Sequence, residues 1–240
     1  MSEAGENHME FYRRWHRLAA PYFQWQYEQF APYLGERIAD VGCGPGNLTA
    51  NMLDKEYYLG VDLDLDMLKE LQREYRSRGP VDTANLDVCD SGFVSELQRR
   101  KVDSILCCNL VEHLEDDKAA IANLTKALPP GGTLGILVPA LPWLYGSLDR
   151  LDSHYRRYTK RSLVRRLDSL PLKIERLYYF NFAAVPGWWW KGRVKKEQFH
   201  ASENFRMMNM LIPVLKPIEN LVKPPFGLSL ILVARREADS

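Results

Sequence analysis

An apolar strand that runs into three alternating glycines constrains this chain more than any other feature: residues 37–49 read RIADVGCGPGNLT. The apolar run ends at Asp40, Gly42, Gly44 and Gly46 form the turn, and a helix is expected over 48–53. Glycine allows backbone angles and a ligand approach that a Cβ would forbid, and a helix start beyond such a turn presents free N–H groups to an anion. A dinucleotide fingerprint would place a further glycine at position 47, where this chain has Asn47, so the turn alone does not name its ligand.

Downstream the pattern repeats. Strand-length apolar runs at 37–41, 57–62, 81–87, 102–108, 133–138, 172–180 and 228–234 alternate with amphipathic stretches, among them 119–128 and 65–75, the latter with Leu65, Leu68 and Leu71 on one face. That alternation marks βαβ units and a mostly parallel sheet. The second strand ends in Asp62, where a carboxylate suits a ribose diol. The third ends in Asp87, a polar end suited to the exocyclic amine of a base.

With these residues in order, the chain resembles the class I S-adenosylmethionine-dependent methyltransferases over about residues 37–140. DVGCGPG is similar to the family's first motif, LGVDLD to its acidic ribose segment, LDVCD to its adenine segment, DSILCCNLVEHLEDD to its fourth motif and LPPGGTLGILVP to the turn and fifth strand. The resemblance implies an α/β, Rossmann-like, doubly wound sheet of seven strands with the last one antiparallel. It also implies an N-terminal helical cap and a helical insertion before that last strand. S-adenosyl-L-methionine is the implied cofactor, S-adenosyl-L-homocysteine the product. By the same resemblance Gly42, Gly44 and Gly46 line the cofactor, Asp40 helps hold the methionine amine, and Asp62 with Leu63 takes the ribose. Asp87 and Val88 frame the adenine, and Asn109 and Leu110 pass beneath the methionine and sulfonium.

The stretch after the fifth strand, LPWLYGSLDRLDSHYRRYT over 141–159, leaves the carboxyl end of the sheet, where such folds bind ligands. His154 is the candidate proton acceptor there. Tyr155, Arg156, Arg157 and Tyr158 are candidate substrate contacts, the arginines as forks for a carboxylate or phosphate. The competing expectation is that His154 and Tyr155 pack the loop while the arginines pair with Asp149 and Asp152. The HYRRYT string resembles a subset of the type 11 and type 12 methyltransferases, which fixes no substrate. His113 is expected as a half-buried helix residue under the cofactor, and Tyr12 and His16 as cap residues near the substrate.

What is missing also narrows the chemistry. No NPPY or DPPY follows the fourth strand, no Pro-Cys nucleophile occurs, and no carboxylate set matches a catechol-type magnesium site, so no metal is expected and Asp116-Asp117 reads as a helix-start charge pair. Cys43, Cys89, Cys107 and Cys108 lack metal or dithiol spacing and read as buried small hydrophobes. Methyl transfer to oxygen or nitrogen of a small or medium, anionic or lipid- or glycan-linked acceptor remains, in a cytoplasmic protein. A non-catalytic cofactor-binding or assembly protein, and a nicotinamide oxidoreductase, are the alternatives.

With 32 basic and 31 acidic side chains the net charge is +1, which gives no bulk-charge reason for a nucleic-acid partner. Basic residues nevertheless gather between Arg150 and Lys173. Trp188, Trp189 and Trp190 stand beside Lys191, Arg193, Lys195 and Lys196, a pairing of indoles and cations that suits a membrane headgroup layer, the alternative being a pocket cap or oligomer contact. The expected organisation is one domain, 1–240. It comprises a helical cap (1–35), a cofactor-binding core (36–184), a helical lid (185–226) and a last strand and tail (227–240).

Overall fold

A computed structural model describes residue 14, residues 16–197 and residues 202–238. Seven strands, β1 (Arg37–Val41), β2 (Tyr57–Asp62), β3 (Val81–Asn85), β4 (Ser104–Cys108), β5 (Thr133–Pro139), β6 (Leu172–Phe180) and β7 (Ser229–Arg236), form one sheet in the order β3-β2-β1-β4-β5-β7-β6. The neighbours among β1 to β5 pair in parallel, and β7 runs antiparallel to β5 and β6. The chain direction of the winding reverses between β1 and β4, which opens a crevice at the carboxyl ends of those strands.

Side chains alternate across the sheet and create two cores. Ile38, Tyr58, Leu106, Leu137 and Ile231 face one layer, while Ala39, Leu59, Ile105, Ile136 and Leu232 face the other, all fully buried. The helices are α1 (Ala20–Glu28), α2 (Leu65–Tyr75), α3 (Ser91–Arg99), α4 (Asp117–Ala127), α5 (Ser147–Leu151), α6 (Lys160–Val164), α7 (Ala184–Trp189) and α8 (Ser202–Leu221). Phe93, Leu97, Ile121 and Leu124 of α3 and α4 close the second core; Phe23, Trp25, Leu68, Leu71 and Ile212 of α1, α2 and α8 close the first. Each such side chain contributes about 1.5–3 kcal/mol by leaving water.

Local chemistry sets the boundaries. Asp64 caps α2 by accepting the Asp66 and Met67 N–H groups at 2.8 and 3.3 Å. Asp116 caps α4 through the Ala119 N–H at 2.9 Å. Glu219 anchors α8 by accepting the N–H groups of Asn181 (2.8 Å) and Phe182 (2.7 Å) just after β6.

Four expectations change. In place of a helix over 48–53 there is a single 3-10 turn, Thr49–Asn51, between looser turns, because Thr49 turns inward to donate to the Tyr58 hydroxyl at 2.8 Å. β3 stops at Asn85, and Asp87 lies in the following turn, its carboxylate accepting the Cys89 N–H at 2.8 Å. Leu65 is 56% exposed, so the buried face of α2 runs through Met67, Leu68, Leu71 and Tyr75 instead. Cys89 is exposed, whereas Cys43 and Cys107 are buried and Cys108 is half-buried.

Candidate active site

The carboxyl ends of β1, β2 and β4 meet at the reversal point, and the glycine turn lies on them. Gly42, Gly44 and Gly46 have φ of +78°, +55° and +95°, backbone that L side chains rarely adopt. A Cβ on Gly44 would meet nothing nearer than Asn47 Nδ2 at 3.8 Å, so this glycine faces open space. Asp62 Oδ2 accepts the Gly44 N–H at 2.8 Å and Oδ1 accepts the Asp64 N–H at 2.9 Å. The carboxylate is thereby fixed between the glycine turn and the start of α2, and a carboxylate with about four lone-pair sites keeps capacity for a further donor. Asn85, unremarked in the sequence, donates to the Asp62 and Leu63 carbonyls at 3.0 and 2.9 Å and holds the turn that carries Leu63, 61% exposed.

Beneath the glycines Asp40 is buried and accepts the Tyr58 hydroxyl at 3.1 Å. Burial pushes its carboxyl up to about 7, against the Tyr58 hydrogen bond and with help from the Asp62 charge. On the other side of the crevice Asn109 adopts φ +54° directly after β4 and donates its N–H to the Leu137 carbonyl at 2.9 Å. Leu110 lies against Gly42, where an added Cβ would come within 3.0 Å of the Leu110 Cβ. Val88 is buried and its carbonyl accepts the Asn123 amide at 2.8 Å, which places the segment after β3 beside α4. His16 closes over the turn, with Nδ1 at 3.3 Å from Asn47 Oδ1 and Nε2 at 2.8 Å from the Tyr75 hydroxyl. Tyr12, His8 and His200 lie outside the described residues.

The loop after β5 folds back on the sheet. Tyr158 N–H donates to the Pro139 carbonyl (2.8 Å) and Leu141 N–H to the Tyr158 carbonyl (3.0 Å), so the loop starts and ends at one strand tip. Tyr155 N–H donates to the Glu112 carbonyl at 2.8 Å and carries the loop across to the turn after β4. His154 thus meets His113 edge to face, ring centroids 4.7 Å apart. His154 Nδ1 lies 3.2 Å from Asp149 Oδ1. Burial disfavours the His154 cation, but the Asp149 hydrogen bond and the Glu112 charge outweigh it and raise the pKa. His113 goes the other way, down to about 4, through burial and then the neighbouring His154. Glu112, missed in the sequence, is fully buried beside both rings, and burial pushes its carboxyl up to about 7.

This packing gives three of the expected substrate contacts, Arg157, Arg156 and Tyr158, partners within the protein. Arg157 is buried on Asp149 (2.5 Å) and on the Ala140 carbonyl (3.0 Å), and its guanidinium lies 5.0 Å from the Trp188 ring centroid. Arg156 binds Asp117 at 2.8 Å and the Glu115 carbonyl at 2.9 Å. Both forks therefore have protein partners, Arg157 buried on an expected one, Asp149, and Arg156, still partly exposed, on one that was not expected, Asp117. Tyr158 is likewise buried, donating to Asp117 at 2.8 Å. Asp117 is thus the hub of Arg156, Tyr158 and Arg166 rather than only a helix-start charge. Tyr155 is 55% exposed and stays available.

Residues 39–134 match the model of a family described as a methyltransferase domain. A Mycobacterium tuberculosis protein named an uncharacterized methyltransferase is 29% identical over 117 residues, 48% of this chain and 57% of that one. A ubiquinone biosynthesis O-methyltransferase of Methylococcus capsulatus is 30% identical over 101 residues, 42% of each. The chain therefore spans about half the length of the curated relatives it matches. Among solved structures, one from Mesorhizobium loti described as an S-adenosylmethionine dependent methyltransferase superposes with a TM-score of 0.59 at 16% identity, covering 88% of this chain and 98% of that one, a likeness of fold. Residues 39–134 thus carry a match to a methyltransferase domain, and the glycine turn lies at the reversal point of a seven-stranded sheet whose fold is similar to that of S-adenosylmethionine-dependent methyltransferases.

Proposed function

We propose that the protein transfers a methyl group from S-adenosylmethionine to an oxygen or nitrogen of a small or medium acceptor. The observation that carries this reading is the Asp62 carboxylate, held by the Gly44 and Asp64 N–H groups beside three positive-φ glycines at the sheet's reversal point. Bound there, the cofactor supplies a methyl carbon made electrophilic by a sulfonium. Asp62 would accept the ribose hydroxyls, Asp40 the ammonium, Asp87 and Val88 would flank the base, and Asn109 and Leu110 the methionine chain. Positioning of the two reactants can supply about 7–11 kcal/mol of the barrier, so the transfer needs little further chemistry from the protein. The Glu112–His113–His154 cluster, whose first two members follow Asn109 and Leu110 in the chain, is the group of polar side chains set to handle the acceptor's proton. The name of the Methylococcus capsulatus relative favours oxygen as the atom methylated.

Titration calorimetry with S-adenosylhomocysteine tests the reading. Asp62→Ala should weaken binding by about 1.5–3 kcal/mol, the scale of hydrogen bonds to a charged group. Unchanged affinity in that variant would remove the ribose assignment, and no binding to the wild-type chain would remove the function.

We also propose a peripheral membrane contact through the exposed indoles of Trp189 and Trp190, which favours a lipid-linked acceptor over a freely soluble one. Trp188 is not part of that face, since it is half-buried against Arg157.

A further inference from the structure

Glu112 is fully buried, and neither of its carboxylate oxygens finds a hydrogen-bond partner in another residue. An orphaned buried carboxylate is costly enough that native structures almost always answer it with a donor or a cation. One potential ligand atom from each of Glu112, His113 and His154 lies within 4.8 Å of the other two. Both imidazoles are anchored from behind. His154 holds Asp149 with Nδ1 at 3.2 Å, which leaves Nε2 free, and His113 bonds the backbone carbonyl of Asp152. Asp149 is in turn fixed by Arg157 and by the Gly146 N–H at 2.9 Å. A histidine whose second nitrogen rests on a carboxylate or carbonyl is the arrangement that orients imidazoles toward metals.

From this geometry we infer that Glu112, His113 and His154 form a binding site for one divalent transition-metal cation of the zinc class. Two nitrogens and one oxygen suit zinc, iron, cobalt or manganese; magnesium and calcium take oxygen donors throughout. Three protein ligands leave a coordination position for water or an acceptor oxygen, as in catalytic zinc sites. Zinc bonds to such nitrogen and oxygen donors are about 2.0–2.2 Å long. In this arrangement His154 is a ligand, and Asp149 and Arg157 are positioning residues; an acceptor hydroxyl on the open position would lose its proton more readily. The site is defined by its own donors and stands whether or not the bound molecule is a methyl acceptor.

The test uses the untagged full chain, stripped with a chelator and equilibrated with Zn2+ or Co2+. One cation per chain is expected by elemental analysis, with a visible Co2+ spectrum of low-symmetry coordination that millimolar Mg2+ does not erase. Glu112→Gln and His154→Ala should each abolish the stoichiometric binding and the spectrum. Asp149→Asn, which leaves all three donors in place, should weaken binding by about 10- to 100-fold. Zn2+ should raise the melting temperature of the wild type and leave that of Glu112→Gln unmoved, which separates lost ligation from lost folding. Sub-stoichiometric binding by the wild type, or binding unchanged in Glu112→Gln and His154→Ala, would overturn the site. Loss of S-adenosylhomocysteine binding alone would count against the methyltransferase reading and not against the metal.

Discussion

At the scale of single residues, Asp40 carries the clearest consequence. Its carboxyl sits near 7 in the folded protein against an ordinary value near 4, chiefly through burial, with Tyr58, Asp62, Cys43, Cys107 and Cys108 among the titratable groups facing it. The native state therefore holds a proton that the unfolded chain has released between about pH 4 and 7. The unfolded state binds fewer protons in that window, so this group's contribution to stability falls as pH rises through it and levels off above it. Urea unfolding at successive pH values should show that downward slope in the wild type relative to Asp40→Asn, in which it is absent. If Asp40 also receives the ammonium of S-adenosylhomocysteine, ligand affinity should rise over the same window, since a cation favours the ionised carboxylate. A flat affinity profile in calorimetry would remove that role. Asp40, Asp62 and the glycines were legible in the sequence because strand ends and positive-φ turns leave local residue signatures. Glu112 was not, because a glutamate in a polar run reads as solvated until tertiary packing buries it.

Among the elements, the loop between β5 and α6 shows how far a motif reading reaches. Its place above the carboxyl end of the sheet followed from the alternation of strands and helices, and its return to β5 through Tyr158 bears that place out. The direction of its arginines did not follow, since a forked cation serves a ligand or an internal carboxylate equally well and only the burial of Asp149 and Asp117 decides. The helix expected over 48–53 failed for a similar reason, with Thr49 drawn into a buried hydroxyl pair with Tyr58. Removing one member of a buried ion pair leaves an uncompensated charge, at about 3–5 kcal/mol. Arg157→Met should accordingly lose stability on that order in chemical denaturation, while Arg156→Met, whose partner Asp117 retains Arg166 and Tyr158, should lose much less. Equal losses in the two variants would show that the loop is not held through Arg157.

Across the whole molecule a net charge of +1 conceals a segregation: carboxylates at the crevice, cations and apolar side chains on the insertion. Helix α8 docks through Ile212, Leu215 and Glu219, and its outward stripe of Met210, Val214, Ile218 and Leu221 is 75%, 60%, 47% and 86% exposed. The π-helical turn Trp190–Lys195 rests on α5, where Ser147 Oγ donates to the Glu197 and Gly192 carbonyls at 2.7 and 3.2 Å. That docking leaves Trp189, Trp190 and Val194 exposed at 43%, 49% and 45%, next to exposed Arg193, Lys195 and Lys196. Among the described residues no helix is long and apolar enough to cross a membrane. Basic residues near an anionic leaflet contribute about 1 kcal/mol each, and indoles add interfacial burial. In flotation assays the chain should therefore rise with anionic vesicles and much less with zwitterionic ones, and added salt should release it. Lys195→Glu with Lys196→Glu should cut the floated fraction by about tenfold or more, and Trp189→Ala with Trp190→Ala should reduce it at every salt concentration. Protein that stays in the soluble fraction with anionic vesicles, or that forms a concentration-dependent dimer lost in the tryptophan variant, would assign this face to a second copy of the chain instead of a lipid surface.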